Sequence, residues 1–275
     1  MPRSAHVRTP LLVVLVLVLV GALAFYMYRD FTRQCRTRDT TPCAPDDHER
    51  EVVSTREGTF CIEKDTSDTI KWTLKTTGVW EPEIVDQFKK YVHPGDLVVD
   101  AGAYIGEHTI QLASLAGPTG RVIAFEPQLH VYEELLVNLD LNHVTNVRAE
   151  LAALGNANTR ISMDPPRETN EGATRVGRGG DRVELRTLDS YRLEHVAFMK
   201  IDVEGFEYDL LEGARETIAR DHPVLSIEIW GKNQPRVMPF VQSLGYRLTQ
   251  IGQDDFIALP SPLDDAHRGQ PAVTQ

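Results

Sequence analysis

The sequence predicts an α/β domain: a mostly parallel sheet with helices on both faces and a C-terminal antiparallel hairpin, preceded by one N-terminal transmembrane helix. Three observations predict it. From residue 97 onward, apolar runs of strand length alternate with amphipathic runs of helix length. Three of those strands end in a carboxylate, at Asp100, Glu126 and Asp202. Residues 9–28 carry no charge, and 11–20 is an unbroken Leu/Val run.

The N-terminal run comes first. A helix over residues 9–28 reaches across most of a hydrocarbon core of about 30 Å. Its rival is a cleavable signal peptide, with Arg3 and Arg8 before the apolar stretch and Ala22-Leu23-Ala24 as the small-residue site. Phe25, Tyr26 and Tyr28 prolong the apolar stretch as an interfacial collar, which favours a retained anchor. The expected protein is single-pass, with the membrane as partner of its first helix. Arg29, Arg33, Arg36 and Arg38 after the span outnumber the two arginines before it, which argues for a cytosolic body. A signal-anchor reading places the body in the lumen of the endomembrane system, and a disulfide among Cys35, Cys43 and Cys61 fits that oxidising compartment. The cysteine spacing is no zinc signature.

Residues 29–57 are polar, with Pro42, Pro45 and a charge cluster, and read as a stalk. The domain is expected over 58–260, with 261–275 as a flexible tail. The chain has 275 residues and a formal charge of -11, while its first 40 residues hold six Arg and two Asp, leaving the remainder near -15. One domain of roughly 200 residues plus an appendage fits this length. An acidic body argues against a nucleic-acid partner.

Within the domain, 59–62 and 69–74 alternate as two short strands, and Pro82 opens a helix continuing to Tyr91. Strands follow at 97–99, 121–125, 147–152, 196–201 and 224–229. Helices follow at 106–116, 130–142, 206–220 and 235–244, and a hairpin at 246–249 and 256–259 closes the chain. Between Gly155 and Asp181 the sequence is rich in Gly, Asn, Pro and Arg without periodicity, an excursion placed to act as a lid.

Ligands of open α/β sheets bind beyond the carboxyl ends of the strands, where strand order reverses. There the segment Val99-Asp100-Ala101-Gly102-Ala103-Tyr104-Ile105-Gly106 leaves a strand and enters a helix, its glycines letting backbone approach a ligand. The next strand ends in Glu126-Pro127, 24 residues beyond Gly102, where a carboxylate can accept both ribose hydroxyls of an adenosine. A nicotinamide dinucleotide site also has an acid here. It wants G-x-G-x-x-G for its pyrophosphate, whereas this loop has Tyr104, and Asp100 adds negative charge. A carboxylate at Asp100 suits the cationic methionyl end of S-adenosylmethionine. The third strand runs into Lys200-Ile201-Asp202-Val203-Glu204-Gly205-Phe206-Glu207, so Asp202 and Glu204 face one rim.

With Thr187-Leu188-Asp189 added, these motifs resemble the FkbM family of methyltransferases over about residues 59–259. The resemblance implies a class I methyltransferase (Rossmann-like) fold, S-adenosylmethionine as cofactor, and O-methylation of a sugar, lipid or small-metabolite hydroxyl. Carried onto this chain, Asp100, Gly102, Ala103 and Gly106 line the methionyl side, Glu126 and Pro127 hold the ribose, and Asp202 to Gly205 border the reacting methyl. The family often has Asn where Tyr104 stands.

Methyl transfer from a sulfonium needs chiefly alignment of acceptor, methyl and sulfur. Proton removal falls to Asp202 or Glu204, with Asp202 preferred. Glu228 and Asp202 at neighbouring strand ends invite a divalent cation, but acceptor binding is the simpler role for Glu228, and no metal is expected. His108, His130, His143 and His195 read as surface or capping residues, and Trp72, Trp80 and Trp230 as packing, with Trp230 placed to meet an acceptor. The competing class is a membrane-tethered domain that binds cofactor or a partner without catalysis.

Overall fold

The computed structural model describes residues 49–165 and 179–261, together with 43, 169, 172 and 174–177. The expected membrane segment and all but the first residue of the C-terminal tail lie outside the described residues. Among the described residues no helix is long and apolar enough to cross a membrane.

The order of elements is β1 (Arg50–Ser54), β2 (Thr59–Glu63), α1 (Thr69–Thr77), α2 (Pro82–Tyr91), β3 (Leu97–Ala101), α3 (Glu107–Ala116), β4 (Arg121–Phe125), α4 (Leu129–Leu141) and β5 (Val147–Glu150). There follow β6 (Ala153–Leu154), β7 (Thr159–Ser162), β8 (Arg182–Arg186), a 3-10 turn at Leu188–Tyr191, β9 (Val196–Ile201), α5 (Glu207–Glu212) and α6 (Arg215–Asp221). The chain closes with β10 (Val224–Glu228), α7 (Gln234–Ser243), β11 (Tyr246–Gln250) and β12 (Asp255–Pro260).

Seven strands form the central sheet in the order β11-β12-β10-β9-β3-β4-β5. β10, β9, β3, β4 and β5 pair in parallel, and the last two strands add antiparallel. The parallel strands are short, and β3, β4, β9 and β10 are largely buried, as crossover helices require, while β5 at the sheet edge is not. Val98, Val122 and Phe198 pack with Ile84 and Phe88 of α2 and Leu112 of α3. Their neighbours Val99, Ile123 and Met199 pack on the other face with Leu210 and Leu211 of α5, Ile218 of α6 and Val237 of α7. Strand order reverses between β3 and β9, so the binding crevice opens where Ala101 and Ile201 end their strands.

Four expectations are corrected. Residues 69–74, read as a strand, begin helix α1: Asp68 Oδ1 accepts hydrogen bonds from Ile70 N and Lys71 N, both at 3.0 Å, and Gly78 ends the helix at φ 76°. Residues 50–54, placed in the stalk, pair in register with β2 from Arg50–Glu63 to Ser54–Thr59. The helix expected over 206–220 breaks at Gly213, where a Cβ would lie 1.9 Å from Gly155 O. The excursion after Gly155 carries β7, which pairs antiparallel with β8 in a three-stranded sheet, and Met163 bridges Val176. Cys43 and Cys61 are both disulfide-bonded, in keeping with one cysteine pair being oxidised.

Candidate active site

The loops after β3 and β9 meet back to back. Gly102 has φ 83°, and a Cβ there would lie 1.8 Å from Asp202 O, so only glycine lets the two loops cross. Tyr104 (φ 48°), Glu204 (φ 56°) and Glu81 (φ 46°) also hold left-handed backbone although none is glycine. Three of the eight non-glycine residues with positive φ among the described residues thus line one crevice, whose shape is held by its surroundings.

Between the loops lies Lys200, which is 4% exposed. Its Nζ donates to Gly102 O at 2.9 Å and lies 3.5 Å from Asp100 Oδ1 and 3.4 Å from Asp202 Oδ2. Burial alone would lower its pKa, but Asp100, Asp202, Glu107 and Glu81 together raise it, so the ammonium persists. Asp100 is fully buried, and its Oδ2 accepts a hydrogen bond from Thr109 Oγ1 at 2.6 Å; burial pushes its pKa up against the pull of Lys200.

Two contiguous cavities open on this loop pair. The narrower, about 50 Å³, has a mainly apolar wall of Phe125, Ala152, Leu154, Val203 and Phe206, with Glu126 and Pro127 at one side and Met163, Thr174 and Val176 of the excursion across it. The wider, about 400 Å³, runs past Trp80, Glu81, Tyr104, Glu107, Glu228, Trp230 and Asp254. Gly102, Glu126, Gly172, Asp202 and Glu204 belong to both.

Glu126 is set by two backbone donors: Oε2 accepts from Tyr104 N at 3.1 Å and Oε1 from Gln128 N at 2.8 Å. Burial lifts its pKa to about 7 against those bonds. Each oxygen keeps a lone pair for a ligand hydroxyl. Glu228 rises to about 9, first through burial and then through repulsion by Asp202, with Glu204 adding to it. Glu81 rises to about 8 through burial and the charges of Asp202 and Asp255. Its Oε2 lies 3.8 Å from Nε2 of His108, whose pKa burial and Lys200 drive well below the usual imidazole range. The expectation of a surface or capping His108 is thereby corrected: it is 1% exposed, edge-on to Phe88.

Of the residues the sequence singled out, Gly102, Glu126, Pro127, Asp202 and Glu204 line the cavities. Asp100, Ala103 and Gly106 lie behind that lining: Asp100 is turned to Thr109 and Lys200, and a Cβ on Gly106 would strike Leu135 at 2.7 Å. Asp189 of the Thr-Leu-Asp motif caps α6, accepting from Glu216 N at 3.0 Å and Thr217 N at 2.9 Å. Glu207 ties down its own loop, accepting from Gly205 N at 2.6 Å. Glu81, Glu107 and Asp254 were missed. Glu81 follows Trp80 in the turn before α2, and Asp254 lies in the turn before β12, neither with a motif; Glu107 adjoins Gly106, the one proximity signal.

The sequence profile described as the Methyltransferase FkbM domain matches residues 100–248, over half of the chain and across both loops. The chain belongs to the FkbM methyltransferase family. No curated protein matches it. Among solved structures, it is similar to the methyltransferase FkbM of Methylobacillus flagellatus KT, at 20% identity and a TM-score of 0.48 over 63% of this chain and 50% of that one. The FkbM chain described here thus spans half the length of that relative. It is similar too to a precorrin-6y C5,15-methyltransferase of Geobacter metallireducens GS-15, at 11% identity and 0.47 over 74% and 94% of the two chains. A third likeness is to Aeropyrum pernix fibrillarin with natively bound S-adenosyl-L-methionine, at 14% identity and 0.42 over 80% and 86%.

The cofactor of the FkbM methyltransferase family is S-adenosylmethionine, and the residues here fit it. Gly102 lines both cavities, Glu126 presents two oriented oxygens, and the slot between Phe125, Leu154 and Phe206 is apolar like an adenine face.

Proposed function

We propose that the protein transfers the methyl group of S-adenosylmethionine to a hydroxyl oxygen of a small acceptor, a sugar, lipid or small metabolite, bound in the wider cavity. The observation that carries this reading is that Asp202 and Glu204 belong to both cavities, at the boundary between a narrow, mainly apolar slot and a wider polar one lined by Trp80 and Trp230.

When bound, S-adenosylmethionine supplies a methyl group on a positively charged sulfur. Glu126 accepts the ribose hydroxyls, and the Gly102 backbone borders the methionyl chain, with Asp100 and Lys200 bracing that loop from below. Ala103, Gly106 and Pro127 shape the loops rather than touch the reacting atoms. Asp202 accepts the proton of the acceptor hydroxyl on its carboxylate, with Lys200 Nζ at 3.4 Å offsetting the charge beside it. Glu204 orients the acceptor; its Oε2 is 4.0 Å from Arg175 Nε of the excursion. Met163, Thr174 and Val176 line the narrow slot on the side of the excursion. The chain is anchored in a membrane by its first apolar run, with the body in the lumen, where the oxidised Cys43 and Cys61 are at home.

The test is calorimetry on the full chain in detergent, with transfer from radiolabelled S-adenosylmethionine into glycan, lipid and metabolite fractions. Binding of S-adenosylmethionine and not NAD is expected, with Asp202→Ala removing transfer while keeping donor affinity within about threefold. Binding of NAD instead would sink the reading. Equal labelling by wild type and Asp202→Ala would favour a non-catalytic binding domain.

A further inference from the structure

Charge is unevenly met in the wider cavity. Seven carboxyl groups line it: Glu81, Glu107, Glu126, Asp202, Glu204, Glu228 and Asp254. Among the described residues, two cations come within ion-pair distance of any of them: Lys200 beside Asp202, and Arg175 beside Glu204. Backbone amides serve Glu126, and Gln234 Nε2 donates to Asp254 Oδ1 at 3.4 Å without bringing charge. The histidine next to Glu81 is held neutral. Glu107 is 3% exposed, yet its Oε2 accepts no hydrogen bond, and neither does Glu228 Oε2. The donor's single sulfonium offsets one of these groups and leaves the rest.

The protein itself shows how the rim receives a cation. The Arg175 guanidinium lies 3.9 Å from the centre of the Trp230 ring with Glu204 at its side, and Lys232 Nζ lies 5.5 Å from the same ring. Trp80 lines the same cavity with Glu81 next to it in sequence.

Resting on the methyltransferase reading above, we infer that the acceptor is an organic cation: a hydroxyl compound bearing a protonated amine or guanidine, received between Trp80, Trp230, Glu81, Glu228 and Asp254. Acidic groups answer the charge, and indole faces answer the weakly hydrated surface of an organic cation. A neutral polyol has no charge to take the place of a carboxyl proton, and an anion is repelled. Asp202, Glu204 and Glu228 bring one oxygen each within 4.8 Å of one another, so a divalent ion is the rival, but it keeps a water shell and makes no use of the indoles.

A proton signature follows. Glu228 faces Asp202, Glu204 and Trp230; Glu81 faces Asp202, Asp255, Glu83, Lys200 and His108; Glu107 faces Lys200, Asp100 and Glu81. Buried and crowded this way, Glu228 and Glu81 hold protons at neutral pH, and an arriving cation expels them.

The experiment titrates the full chain, saturated with S-adenosylhomocysteine, with two matched pairs: glucosamine against N-acetylglucosamine, and benzylamine against benzyl alcohol. Calorimetry is run in buffers of different ionisation enthalpy. The charged member of each pair is expected to bind at least tenfold tighter and to release protons. Glu228→Gln and Glu81→Gln, each checked for an unchanged melting transition, are expected to shrink that preference at least threefold. Equal or tighter binding of a neutral member, no binding of either amine, an unaltered preference in both variants, or magnesium binding that excludes the amines would each overturn the inference. Failure to bind S-adenosylhomocysteine would instead overturn the methyltransferase reading.

Discussion

At the scale of single residues, Glu126 has the plainest assignment. Its two oxygens are aimed by Tyr104 N and Gln128 N and have no charged partner of their own within ion-pair distance among the described residues. Glu126→Gln keeps the shape but offers one acceptor oxygen instead of two. Its affinity for S-adenosylmethionine is expected to fall about tenfold, roughly the 1.5–3 kcal/mol of a charge-assisted hydrogen bond less what the amide retains. Calorimetry measures this, and an unchanged Kd would remove Glu126 from the ribose site. The sequence disclosed this residue because a strand end, a following proline and the distance from Gly102 are local facts. It did not disclose Glu81. That side chain reaches the cavity only because α2 packs against α3 and the sheet, and no neighbouring residue records the destination.

At the scale of elements, Lys71 fastens three of them. It belongs to α1, is 1% exposed, and pairs with Glu134 of α4 at 2.9 Å and Glu63 of β2 at 3.1 Å. Truncating it leaves Glu134 buried without its nearest cation, although Arg50 remains 3.4 Å away. Lys71→Ala is therefore expected to cost about 3–5 kcal/mol in chemical denaturation, and the double variant Lys71→Met/Glu134→Leu to recover much of it. A loss below 1 kcal/mol would show the pair to be ornamental. The same helix explains the one element read as the wrong type. Threonines and alternation in Thr69-Ile70-Lys71-Trp72-Thr73-Leu74 imitate a strand, while the deciding signals, Asp68 before it and Gly78 after it, lie outside the run. The parallel strands were legible because each is a short apolar burst between turn residues. The β7–β8 pairing was not, since it joins segments whose near ends, Ser162 and Arg182, lie twenty positions apart with nothing periodic between them.

At the scale of the molecule, the buried acids set how stability responds to pH. Carboxyls raised in the folded state, Glu81 to about 8 and Glu228 to about 9, bind protons that the unfolded chain has already released above about 4.5. Their contribution favours folding below that value and is lost as pH rises through 8 to 9. The melting temperature of the unliganded chain is expected to decline from pH 5 to pH 9, and Glu228→Gln to flatten that decline. A melting temperature that climbs across this window would mean these groups ionise freely in the fold. The pattern of strands and helices announced the crevice, but this accumulation of acid is a property of assembly. Its members come from the turn before α2, the start of α3, the ends of β4, β9 and β10, and the turn before β12.

Lys200 joins the two halves of that crevice, with Asp100 on the donor strand and Asp202 on the acceptor strand both within 3.5 Å of one ammonium. A shared counter-ion makes the two ligands thermodynamically aware of each other, and that awareness must be mutual. The donor arrives positively charged at sulfur and leaves as a neutral thioether. For the cationic acceptor inferred above, the methylated product would therefore be held more firmly once the reaction is over than its precursor was before it. Departure of that product would then govern turnover.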